Sequence, residues 1–231
     1  MNIKNKSRGG SFEEWSPTAF LVGGGLLLAC LGIIAVVEMV LSEPTLPILV
    51  GVMVSFLFGV LAVFVGLFGL YPRLRDRAPR LALTGVAFSV IAAAGLVTVV
   101  VGYLTAYVVL GPAEVERLLE ARGLGYHMER VAFHMFYLGF PVAFLSFGAA
   151  TWRTRTESRV VGGLLMLAGA LLFVNFAYEF SIWVFGMDRI ADLMWVVTFG
   201  PVPVVALLVG YLLRFRTEPI GRPDIDLETD A

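Results

Sequence analysis

The chain has 231 residues, 58% of them hydrophobic and 15% charged, with a net charge of −1. Such a balance is too apolar for an ordinary soluble domain. The near-neutral charge argues against nucleic acid as a partner, and the single cysteine, Cys30, excludes an intramolecular disulfide.

The apolar residues gather into six runs, each longer than the roughly 18 residues that mark a transmembrane helix. Lipid offers no partners for backbone N–H and C=O groups, so spans of this length must be helices. The fold class that follows is all-α, a polytopic six-transmembrane-helix bundle.

Residues 1–15 read as a polar cytoplasmic lead, with Trp15 at the membrane interface. The six-helix domain covers 16–214. Helix one is expected over 17–41, and Pro17 suits its first turn. The apolar run is too long for a cleaved leader and no small-residue cleavage pattern follows it, so it reads as a retained helix. The short turn Ser42-Glu43-Pro44 makes helices one and two antiparallel neighbours. Helix two is expected over 46–71, ending at Tyr71-Pro72-Arg73, and helix three over 80–110. Gly111-Pro112 stops helix three. Residues 113–123 then read as a short interfacial amphipathic helix, with Val115, Leu118 and Leu119 on one face. Helices four, five and six are expected over 127–151, 159–185 and 189–213. Residues 215–231, proline-bearing and acidic, read as a disordered cytoplasmic tail.

Glycines recur through the spans, among them Gly23-Gly24-Gly25, Gly32, Gly59, Gly66, Gly85, Gly95, Gly162 and Gly163. They indicate helices that approach closely. Helix four carries Gly139-Phe140-Pro141 and helix six Gly200-Pro201-Val202-Pro203. Proline removes a helix hydrogen bond, so Pro141, Pro201 and Pro203 are candidate hinges near mid-span. The likeness of the two segments is too short to establish an internal repeat.

Orientation follows from the basic residues. Of 17 Lys and Arg, 13 fall before helix one, between two and three, between four and five, or after six. By the positive-inside rule those segments and both termini are cytoplasmic, which places the protein as a multi-pass protein of the cell membrane. The opposite side and its helix ends hold four basic residues against nine acids, Glu38, Glu43, Glu114, Glu116, Glu120, Glu129, Glu179, Asp188 and Asp192. That face is net negative and attracts cations if the charges converge.

Ionisable residues within spans are costly and mark candidate sites. Here they cluster in the outer half. His127, Arg130, His134 and Tyr137 share one face of helix four; Asn175 and Glu179 lie four apart on helix five; Asp188, Asp192, Trp195 and Thr198 share a face of helix six; Glu38 sits near the outer end of helix one. Many are ordinary interfacial residues. Glu179 and His134 lie about two turns, roughly 10 Å, deeper than the helix ends. The candidate ligand- or ion-binding set is therefore Glu179, His134, Asn175, Asp192, Arg130, Glu38 and Tyr137. Arg130 offers Glu179 a counter-charge and His134 a hydrogen bond.

No metal and no cofactor is expected. The two histidines are seven apart on one helix, about 10 Å along its axis, too far to share one ion or a haem. No His-Glu-x-x-His, Gly-x-Ser-x-Gly or phosphate loop occurs, and the absence of lysine from the spans excludes a retinal Schiff base. The sequence thus leans away from an enzyme, leaving acid/base work by His134 and Glu179 on a lipid or small molecule as the weakest reading. Two stronger ones stand nearly level. One is a small permease-like or cation- or proton-binding protein with an outward polar cavity, its partner a cation, proton or small solute. The other is a non-catalytic membrane subunit, sensor or assembly partner, packed against another chain or a second copy.

Overall fold

A computed structural model describes residues 12–40, 46–111, 114, 115, 117, 124–185 and 197–215; the side chains of 12–13, 38–40, 46, 124–129 and 182–185 fall outside the description. The protein is all-α. Its helices are α1 (Phe12–Val40), α2 (Leu46–Leu74), α3 (Pro79–Leu110), α4 (Leu124–Thr154), α5 (Arg159–Phe185) and α6 (Pro201–Phe215). All six belong to stretches long and apolar enough to cross a membrane, the last beginning at Val197. Six crossings bring the start of α1 and the end of α6 to one side of the bilayer.

Short connections make sequential helices antiparallel neighbours. Residues 75–78 turn α2 into α3, with Ala78 N donating to Leu74 O at 2.8 Å and Pro79 opening the new helix. Proline suits that position because a first-turn N–H has no intrahelical acceptor to lose. Residues 155–158 turn α4 into α5. Arg155 ends α4 at φ 52°, a left-handed stop, and Ser158 Oγ accepts from Val161 N at 3.2 Å as the N-cap of α5. Arg73 at the end of α2 reaches Glu157 in that second turn at 2.5 Å, with both side chains mostly buried, and ties the two connections together.

The helices close a ring in which each packs against its sequence neighbours and α1 packs against α6; α2 also touches α4 across the middle. The least apolar span, that of α4, is the most enclosed, at 56% buried against 22% for α2. Burial there follows helical spacing, with Phe136, Phe140, Ala143, Phe144, Phe147 and Ala150 turned inward. The centre is aromatic. Phe140 packs edge-on to Phe64 at 5.1 Å and to Phe144 at 5.0 Å, while Phe56 meets Phe199 at 5.5 Å.

Without a hydrophobic force between helices in lipid, close backbone approach does much of the joining. The triplet Gly23-Gly24-Gly25 shows how one helix serves three directions at about 100° per residue. A Cβ at Gly23 would stand 2.8 Å from Gly59 O of α2, one at Gly24 would stand 2.8 Å from Pro203 O of α6, and one at Gly25 would meet nothing within 4 Å. Gly59, Gly66, Gly85, Gly95 and Gly162 are likewise at tight contacts. Gly25 and Gly32 face open space instead, and Gly163 lies at ordinary contact distance from Trp152. Glycine content alone does not separate a seam from a lipid-facing side.

Between α3 and α4, the described residues Glu114, Val115 and Arg117 are helical. Val115 is buried, and Glu114 pairs with Arg117 at 3.7 Å across one turn. The rest of the amphipathic segment and the tail lie outside the described residues.

Candidate functional site

The candidate polar residues lie on α4, on α5 and on the helical residues 197–199 that precede α6. Arg130, His134 and Tyr137 recur every three or four residues of α4, so each stands above the last on one side. Val131, Met135 and Leu138 fill the intervening directions and are exposed, as lipid-facing positions are. The α4 face bearing the polar residues looks toward α5, where Asn175 and Glu179 follow the same four-residue spacing.

Tyr137 is half-buried, and both Glu179 and Arg130 lie within electrostatic reach of its hydroxyl. The ring of Tyr137 is fixed by stacking on Phe133 at 5.8 Å and by packing on Phe136 at 5.4 Å.

His134 is held in part by its own helix. Its Nδ1 stands 2.5 Å from the Arg130 carbonyl of its own helix. A carbonyl only accepts, so Nδ1 carries the proton and, in the neutral ring, Nε2 is the acceptor. Phe176 and Phe180 of α5 meet the imidazole edge-on at 6.4 Å and 6.0 Å. The pairing on α4 is thus a local backbone bond, to which sequence spacing alone is blind.

Asn175 is the most buried of the candidates, at 1% exposure. Thr198 Oγ donates to its Oδ1 at 2.9 Å across the α5–α6 interface. Its Nδ2 is buried and, among the described residues, has no hydrogen-bond partner. An unsatisfied amide donor inside a membrane bundle costs about 1–3 kcal/mol, which makes it a place where a ligand or water would be gained.

Asp192 lies outside the described residues, as does the side chain of Glu38. Arg130, Tyr137 and Glu179 are brought together by the α4–α5 contact, with His134 on the same α4 face and Asn175 one turn along α5. The prolines occupy two kinds of position. Pro141 lies inside α4, whose helix runs on through it. Pro201 opens α6 and Pro203 is its third residue, while Gly200 is a turn. In the first turn of a helix proline displaces no hydrogen bond, so within the described stretch from Val197 to Phe215 the break falls at Gly200.

An open groove of about 440 Å³ lies between α3, α4 and α5, with Arg130 and His134 on its wall. The remaining wall is apolar, with Phe88, Ile91, Phe176 and Phe180 prominent. This groove is walled mainly by apolar side chains because Val131, Met135 and Leu138 alternate with the polar residues on α4. Toward the arginine-rich side, Phe56, Phe136, Phe140 and Phe199 pack together below the cluster. That aromatic layer had no signal in the sequence beyond phenylalanine content. Thr198 was visible on its helix face, but its pairing with Asn175 depends on how α5 and α6 meet.

Among the described residues, no three His, Cys, Asp or Glu side chains gather as a metal site. Neither family models, nor curated proteins, nor solved structures match this chain.

Proposed function

We propose that this integral membrane protein is a small permease-like protein that binds a proton or cation at Glu179. The observation that carries the reading is that Glu179 and Arg130, opposite in charge and on neighbouring helices, both lie within electrostatic reach of Tyr137. Ionisable groups of this kind inside spans mark proton and ion pathways. Arg130 supplies a positive charge on the facing helix that competes with a proton or cation for Glu179. Tyr137 supplies a hydroxyl that both donates and accepts, and Asn175 an amide with capacity to spare. The aromatic layer beneath closes the site toward the arginine-rich side.

The test is Glu179→Gln in proteoliposomes with a trapped pH dye and a panel of monovalent and divalent cations. Proton- or cation-coupled uptake should fall at least tenfold, in line with loss of an essential acid/base group, roughly 10²-fold or more. Arg130→Gln should change the pH or cation dependence of what remains. Uptake unchanged in Glu179→Gln would end this reading.

A second reading, a membrane subunit or assembly partner, is favoured by the open apolar groove, which would accept a helix of another chain. Purification as a monomer, with no protein held on that face, counts against it.

A further inference from the structure

We propose that a cavity on the arginine-rich face, at the start of α3, binds the phosphate of an anionic lipid headgroup. This inference does not rest on the reading of Glu179.

The cavity measures about 470 Å³, within the ~300–1,000 Å³ range of small-molecule sites, and is lined by residues 77–81 and by Arg153 and Thr154. Three of its side chains are arginines, Arg77 in the α2–α3 turn, Arg80 in the first turn of α3 and Arg153 in the last turn of α4, and guanidinium forks match phosphate oxygens in pairs. Among the described residues, none of these three has an ion pair or side-chain hydrogen bond. Arg155 likewise has no side-chain partner among the described residues but does not line the cavity, and the other neighbours are matched. Arg73 pairs with Glu157, Arg75 with Asp76 at 3.5 Å, and Arg159 lies 6.0 Å from the Trp152 ring. Cations without partners are thus concentrated around one cavity.

A second feature points the same way. The helix that begins there, α3, has Ala78 at its N-cap and no side-chain hydrogen bond to its first turn. The N–H groups of Arg80 and Leu81 have no intrahelical acceptor, and the positive end of a 32-residue helix adds to the arginine field.

The surroundings favour a lipid as the source of the phosphate. Trp152, adjacent to Arg153, is exposed, as rings at the headgroup level are. Leu83 lies one turn beyond Arg80 on the same side of α3 and is 61% exposed, so an anion seated on Arg80 has an apolar surface for its chains beside it. By the positive-inside rule this side is cytoplasmic, and anionic lipids of that leaflet are drawn to such basic pockets.

The experiment measures thermal unfolding and lipid adducts by native mass spectrometry. The intact protein is placed in phosphatidylcholine nanodiscs with or without 20 mol % phosphatidylglycerol (roughly the anionic fraction that gives a membrane a negative surface potential). A separate arm adds glycerol phosphate or inorganic phosphate to the phosphatidylcholine discs. The variant Arg77→Gln/Arg80→Gln/Arg153→Gln is compared with Arg75→Gln/Arg155→Gln/Arg159→Gln, which removes the same charge from the same face but not from the cavity. At about 1 kcal/mol per arginine, the first triple variant should bind the anionic lipid on the order of 100-fold more weakly, while the second retains most of the affinity. Single Arg153→Gln should weaken it by about fivefold in the adduct measurement, which serves if the triple variant folds poorly. Equal loss in the two triple variants, no response of the wild type to phosphatidylglycerol, or the full response to soluble phosphate alone would each overturn the proposal.

Discussion

Gly95→Ala, the addition of one methyl group to α3, should separate the two most extensively packed helices of the bundle. A Cβ at this position would stand 2.5 Å from Ala132 O, 2.9 Å from Phe136 N and 3.0 Å from Met135 Cβ, all on α4. Ordinary contact begins near 3.4 Å, so the closest approach is about 0.9 Å too short. Two of the three obstacles are backbone atoms, which no rotamer change can move. The helices must therefore part, and overpacking of this kind costs about 1–3 kcal/mol. Gly102, two turns along the same helix, has nothing within 4 Å of its would-be Cβ. Alanine there should be neutral or stabilising by up to about 1 kcal/mol through helix propensity. Unfolding by SDS titration or by heat in a mild detergent compares the two variants against the wild type. Gly95→Ala should lower the midpoint and Gly102→Ala should not. Equal stability of all three would show that α3 and α4 do not meet at this seam, and would remove the support it gives to the placement of Arg130 and His134 on the same face of α4.

Three further outcomes follow from contacts described above. Arg73→Gln should cost about 1–2 kcal/mol, because the pair with Glu157 is mostly buried and its loss leaves the carboxylate without its partner; the swap Arg73→Glu/Glu157→Arg should recover part of the loss in the same unfolding assay. Thr198→Val should destabilise by about 1 kcal/mol by leaving the whole Asn175 amide unpaired, whereas Thr198→Val/Asn175→Leu should regain or exceed wild-type stability; a double variant no better than the single one would refute that account. Cys30 is 1% exposed, so maleimide should label the folded protein only as fast as it opens and label it at once in SDS; rapid labelling in mild detergent would contradict its burial.

The helices were legible because a bilayer demands about 20 apolar residues per span and the chain supplies them six times over. The end of α3 carried a local signal too, in Gly111. What lay beyond reading was relational. Nothing in Gly24 or Gly25 says which one meets α6, because that depends on how α1 is rotated within the ring. The spacing of Arg130, His134 and Tyr137 put them on a common face but did not give their contacts, since His134 Nδ1 turns back to its own backbone and Thr198 finds Asn175 across an interface. Apolar composition does not mark where a helix restarts, and Gly200 does so only once Pro201 is seen to open α6.

The contact between α1 and α6 has a temporal meaning. Gly24 and Pro203 are about 180 residues apart, so at roughly 5–20 residues per second a ribosome needs about 10–40 s to deliver the second after the first. Throughout that interval one side of α1 has no permanent neighbour. The hairpins α1–α2 and α3–α4 can assemble as they emerge, but the circle cannot be completed until its last member arrives and slides between α1 and α5. Assembly of this protein is therefore gated by the final tenth of its helical chain, and the insertion machinery or the surrounding lipid must shelter the waiting surface until then.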